Sequence, residues 1–66
     1  MTRDEIVETA AQVFRQKGFH GASMDDIAKA VNLRKASLYH HVASKQEILL
    51  EILEKALQLL LERITP

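Results

Sequence analysis

Apolar residues in the first part of the chain recur at steps of three and four: Ile6, Val7, Ala10, Val13 and Phe14. That spacing returns to one side of a helix, so an amphipathic helix is predicted from about residue 3 to Lys17. Thr2, with Glu5 three positions on, has the capping-box spacing that opens such a helix. Gly18, able to take the left-handed conformation, closes it behind Arg15 and Lys17, whose charges complement the negative end of the helix dipole. Phe19 then folds back as an apolar anchor.

Ser23, followed by Asp26, is a second start signal. Met24, Ile27, Ala28 and Val31 form the inner face of a short second helix, about residues 24–31. It ends at Asn32, a residue that tolerates the left-handed backbone of a tight turn. Leu33 re-enters the core, and a third short helix is predicted from Arg34 to about His41. Ala43-Ser44 breaks the run, and Ser44 with Glu47 gives another capping box, from which a fourth helix continues to the end of the chain. The fold class is therefore all-α.

The fourth helix carries more apolar surface than a small core needs. At about 100° per residue, its apolar positions between Ile48 and Ile64 cover an arc of roughly 220°, with Glu51, Glu54, Lys55, Gln58 and Glu62 on the remainder. So wide a face predicts a second apolar partner along residues 56–64, either another domain of a longer chain or a second copy of this one. Leu57, Leu60, Leu61 and Ile64 lie beyond the reach of the first three helices. The expected division is a folded unit over 1–55 and a continuation of the fourth helix over 56–66.

Composition narrows the class. The chain has 66 residues, 47% apolar and 27% charged, which suits one small globular domain with a marginal core. The lack of cysteine removes disulfides and thiolate metal sites, and makes a reducing, cytoplasmic setting the expectation. The amino terminus has acidic residues where a signal peptide would turn apolar, and no run approaches the roughly 18–20 apolar residues of a membrane span. No membrane association is expected. Nine basic and nine acidic side chains cancel, yet the cancellation hides a pattern. Residues 1–28 and 46–66 are each net −2, whereas residues 29–45 hold Lys29, Arg34, Lys35 and Lys45 and no acid. His40 and His41 lie in the same basic block.

Two short helices joined by a turn around Asn32 have the proportions of a helix-turn-helix, and the basic block falls on the second of them. In that motif the second helix enters the major groove of duplex DNA, so its inner side should be apolar and its outer side small or polar. With Leu38 as the buried point, Val42 lies on the same side, Ala36 and His40 point most directly away, and Ser37 and Tyr39 flank them. Lys35, on the first turn, reaches toward base edges or phosphate. Tyr39, His41, Lys45 and Ser23 are placed for phosphate, the last two at helix starts where backbone amides attract anions. Taken one at a time, each has a plain structural reading: Tyr39 as a core-edge ring, Lys45 as a solvated charge, Ser23 and Ser44 as caps. Their convergence on one face favours double-stranded DNA as the partner.

Other chemistry finds little support. His40 and His41 point about 100° apart on a helix and no i, i+4 pair of ligands exists, so no metal and no cofactor are expected. Gly18-Phe-His-Gly21 has the spacing of a backbone-clamping loop but lacks the strands that such loops accompany. Ser37 or Ser44 beside a histidine lacks an orienting third group, so the chain is not expected to be an enzyme. A rival from another class remains: a helical interaction module whose leucine face is the functional surface.

The stretch from Ser23 to Leu49, with Leu38-Tyr-His-His and Ser44-Lys45 as its most specific parts, resembles the DNA-binding segment of the TetR family of transcriptional repressors. Ala10 to Phe19 resembles that family's first helix and its glycine-aromatic ending. The resemblance runs from about residue 3 to residue 55. It implies a homeodomain-like three-helix bundle followed by a long fourth helix. It places Lys35, Ala36, Ser37 and His40 at base-facing positions and Tyr39, His41 and Lys45 at phosphate-facing ones. It further implies a repressor acting as a homodimer on a palindromic operator, with dimerisation and small-molecule inducer binding in a longer carboxy-terminal domain. Asn32 stands where the family often has glycine, and Val42 where it often has phenylalanine.

Overall fold

Thr2 opens the first helix by accepting the amide of Glu5 on its hydroxyl, 3.3 Å away. The computed structural model describes residues 2–64, the side chains as far as Arg63. Four helices follow one another: α1 (Arg3–Lys17), α2 (Met24–Ala30), α3 (Lys35–His41) and α4 (Lys45–Ile64). Among the described residues there is no strand. The predicted continuation of the last helix to the chain end, and the place of the Ile64 side chain on its stripe, lie outside the described residues.

The predicted boundaries hold to within a residue. α2 stops at Ala30 with Val31 as its cap, and α3 begins at Lys35 with Arg34 as its cap. Ser23 and Asp26 form a full capping box at the start of α2, each side chain accepting the other residue's backbone N–H. Ser44 accepts the amide of Glu47 at the start of α4. Asn32 takes a positive φ of 58° in the turn between α2 and α3. Gly18 departs from the expected left-handed closure. Its φ of 77° is positive, but a ψ of 157° makes the backbone extended, a combination essentially reserved for glycine. The helix still ends in a bonded cap, with Gly18 N–H donating to Phe14 O at 2.8 Å.

α1 packs against both α2 and α4, and α3 packs against α2. The core between them is aliphatic: Ile6, Ile27, Leu38 and Ile48 are fully buried, and Ala10, Val13, Val31 and Val42 surround them. Phe14, Met24, Leu33 and Ile52 close its edges. The predicted inner faces are thus the observed ones. α4 contributes to this core only through its first two turns. Every described side chain from Ala56 to Arg63 is exposed, and Leu57, Leu59 and Leu60 are each more than half exposed. The helix runs past the bundle, which accounts for the 43 Å long dimension of a molecule only 23 by 16 Å across.

Candidate nucleic-acid interface

α3 is a helix of two unlike sides. Leu38 is completely buried, and Val42, one turn on, is 1% exposed. Ala36 and His40 lie on the opposite side, both exposed, flanked by exposed Tyr39 and half-buried Ser37; Lys35 is exposed on the first turn, and His41 is half-buried at the helix end. Of the base-facing set expected from the sequence, Ala36, Ser37 and His40 share the side away from Leu38, and Lys35 stands exposed at the helix start. No basic side chain of α3 is used to build the core. Arg34, exposed at the helix start and making no side-chain cap bond, adds a further cation to this surface.

The helix is held at both ends. At its start, Lys35 Nζ lies 3.4 Å from the Asp25 carboxylate on the first turn of α2; both side chains are more than half exposed, so water screens the pair. At its end, the carbonyl of His41 accepts from Arg3 Nη1, while Nε and Nη2 of the same guanidinium reach Glu51 and Glu47, each at 2.6 Å. The two carboxylates raise the Arg3 pKa above its ordinary value. Sequence periodicity gives no sign of this fork, because its partners lie 38 to 48 positions away.

The phosphate-facing set is more dispersed. Ser23 is exposed beside the turn, but its hydroxyl is committed to the Asp26 amide. Asp26 in turn is held at about pKa 2, first by the hydrogen bond from Lys17 and then by the backbone N–H and side chain of Ser23. Tyr39 is 46% exposed, and the structure records no hydrogen bond for its hydroxyl. Lys45, expected to face phosphate, is half-buried at the start of α4. Its ammonium turns inward, donating to Phe19 O at 2.6 Å and Ala22 O at 3.0 Å and lying 4.4 Å from the centroid of the Phe19 ring. The physical reason is that these carbonyls belong to a non-helical loop and need a donor. Among the described residues no group of three or more His, Cys, Asp or Glu side chains is arranged to hold a metal ion, and no helix is long and apolar enough to cross a membrane.

Comparison with known proteins agrees with this geometry. A family model described as bacterial regulatory proteins, tetR family, matches residues 6–52. The biofilm operon icaADBC HTH-type negative transcriptional regulator IcaR of Staphylococcus epidermidis is 48% identical over 46 residues, which are 70% of this chain and 25% of that protein. IcaR of Staphylococcus aureus strain Newman is 50% identical over the same length. The chain thus spans about a quarter of the length of these relatives. Among solved structures, a probable transcriptional regulatory protein, RHA5900, superposes with a TM-score of 0.85 at 37% identity, covering 91% of this chain and 32% of that one. The transcriptional regulator PfmR from Thermus thermophilus superposes with a TM-score of 0.76 at 51% identity, covering 80% of this chain and 29% of its own.

Proposed function

The chain belongs to the TetR family of bacterial transcriptional regulators, and from that premise we propose that it is the operator-binding part of a repressor, with α3 as the helix that enters the major groove. One observation carries this reading: α3 buries Leu38 and Val42 on one side and presents a polar, basic surface on the other. Lys35, Ala36, Ser37 and His40 face base edges. Tyr39, His41, Ser23 and Lys45, with Arg34 beside them, face phosphate. The IcaR relatives are named as negative regulators, which favours repression over activation.

A single reading helix covers one half-site, so a palindromic operator requires two copies at fixed spacing. The exposed leucines of α4 supply a surface for whatever holds them so. We place there a carboxy-terminal domain that dimerises and carries the inducer site. On this reading Leu57→Gln with Leu60→Lys leaves the thermal unfolding of α1–α3 unchanged. Loss of the folded core in that variant would assign the leucines to this domain itself.

Binding to duplex DNA as a function of salt tests the proposal against the interaction-module rival. Neutralisation of phosphates predicts an affinity that falls steeply and linearly in log–log form with salt. Tyr39→Phe should weaken specific and random duplexes alike, because a phosphate contact positions without reading sequence. Binding that is absent, or indifferent to salt, would contradict the proposal.

A further inference from the structure

Two aspartates stand side by side on the first turn of α2, and the fold uses them differently. Asp26 completes the capping box with Ser23 and pairs with Lys17. Asp25 takes no part in the cap; its carboxylate crosses to α3 and lies 3.4 Å from Lys35 Nζ. Among the described residues it is the one ion pair made by a side chain of α3. Both partners are more than half exposed, and a pair so exposed adds little to stability. The helix dipole favours an acid on this turn, but Asp26 already supplies one. Neither effect accounts for an acid set against a surface that is to meet a polyanion, where its charge repels phosphate.

Resting on the DNA-binding reading above, we infer that Asp25 is a specificity-determining residue that acts through Lys35, tethering the ammonium so that it reads guanine instead of settling on phosphate. A lysine ammonium is a point charge with three donors on a flexible stem, and along a duplex phosphates attract it at many positions. The Asp25 carboxylate offsets that charge and so weakens the pull of phosphate. It occupies only part of the donor set, which leaves hydrogen bonds for the O6 and N7 acceptors of guanine. The tether is firm at its base, because Asp25 lies within the span of the capping box and two residues before the fully buried Ile27. Lys35 itself stands on the first turn of α3, the end of a reading helix that points into the groove.

The test is a double-mutant cycle of wild type, Asp25→Asn, Lys35→Ala and the double variant. Affinity for a random duplex is measured against salt, and base preference is measured by selection from randomised duplexes. Asparagine keeps the shape and removes the charge, so Asp25→Asn should keep a Tm close to that of wild type. It should raise affinity for random duplex and steepen the slope of log affinity against log salt by up to about 0.9, the weight of one added phosphate contact. Preference for guanine at the position read by Lys35 should fall about fivefold or more. With Lys35 already replaced by alanine, Asp25→Asn should leave the slope and the consensus unchanged. The inference is overturned if Asp25→Asn keeps the wild-type slope and guanine preference. It is equally overturned if the gain on random duplex is the same with and without Lys35, which is plain charge repulsion. Either result with wild type still binding duplex sinks the tether alone, whereas a folded wild type that binds no duplex at any salt sinks the DNA-binding reading and the tether with it.

Discussion

Arg3, on the first turn of α1, donates to the carbonyl of His41, the last residue of α3, and so ties the chain's first helix to the far end of the third. The same guanidinium binds Glu47 and Glu51 on α4, so three helices meet at one side chain. Arg3→Met should release the carboxy-terminal end of α3. Because the fork is partly exposed to water, the loss of stability should be smaller than for a core truncation such as Leu38→Ala, which costs roughly 2–5 kcal/mol. Added salt should narrow the gap in Tm between wild type and Arg3→Met, since screening weakens only the protein that has the fork. A gap that widens with salt would refute the electrostatic account.

Asn32 occupies the left-handed region at φ 58°. Glycine there removes the steric cost, whereas a β-branched residue incurs it fully. Asn32→Gly should fold with stability at or above that of wild type, and Asn32→Val should lose about 1–3 kcal/mol in denaturant unfolding. Equal stabilities for the two variants would mean that the turn does not impose this backbone geometry.

The helices and their inner faces were legible in the sequence because each rests on local chemistry. Thr2, Ser23 and Ser44 cap where their spacing to the third following residue says they should, and the period of Ile6, Ala10 and Val13 is the period of the buried face. Longer-range relations were not legible. Periodicity sets the register of Lys45 on α4, but only the path of the loop shows that Phe19 O and Ala22 O meet its ammonium. Arg3 reads as an ordinary surface cation until α3 and α4 are placed around it. Gly21 carries no signal of its own; its need for a bare Cα arises from the closeness of Lys17 O.

Acid sensitivity should centre on the start of α2. The Asp26 pKa is lowered to about 2, chiefly by Lys17 and then by Ser23. A carboxylate depressed in the folded state contributes stability that is present above its unfolded pKa of about 3.9 and is lost as pH falls through the folded value. Stability should therefore decline between about pH 4 and pH 2. Asn at position 26 can still accept the Ser23 amide but cannot pair with Lys17, so Asp26→Asn should flatten that decline. An acid limb as steep in Asp26→Asn as in wild type would place the sensitive group elsewhere.

The central claim is that the outward side of α3 reads base edges, and selection from a pool of randomised duplexes at fixed salt tests it most directly. Lys35→Ala and His40→Ala alter exposed side chains outside the core, so both variants should stay folded. Each should relax the wild-type consensus at one base position, symmetrically in the two half-sites, with a cost of about 1–3 kcal/mol on the preferred site. Consensus sequences from both variants identical to that of wild type would contradict the claim that α3 is the reading helix.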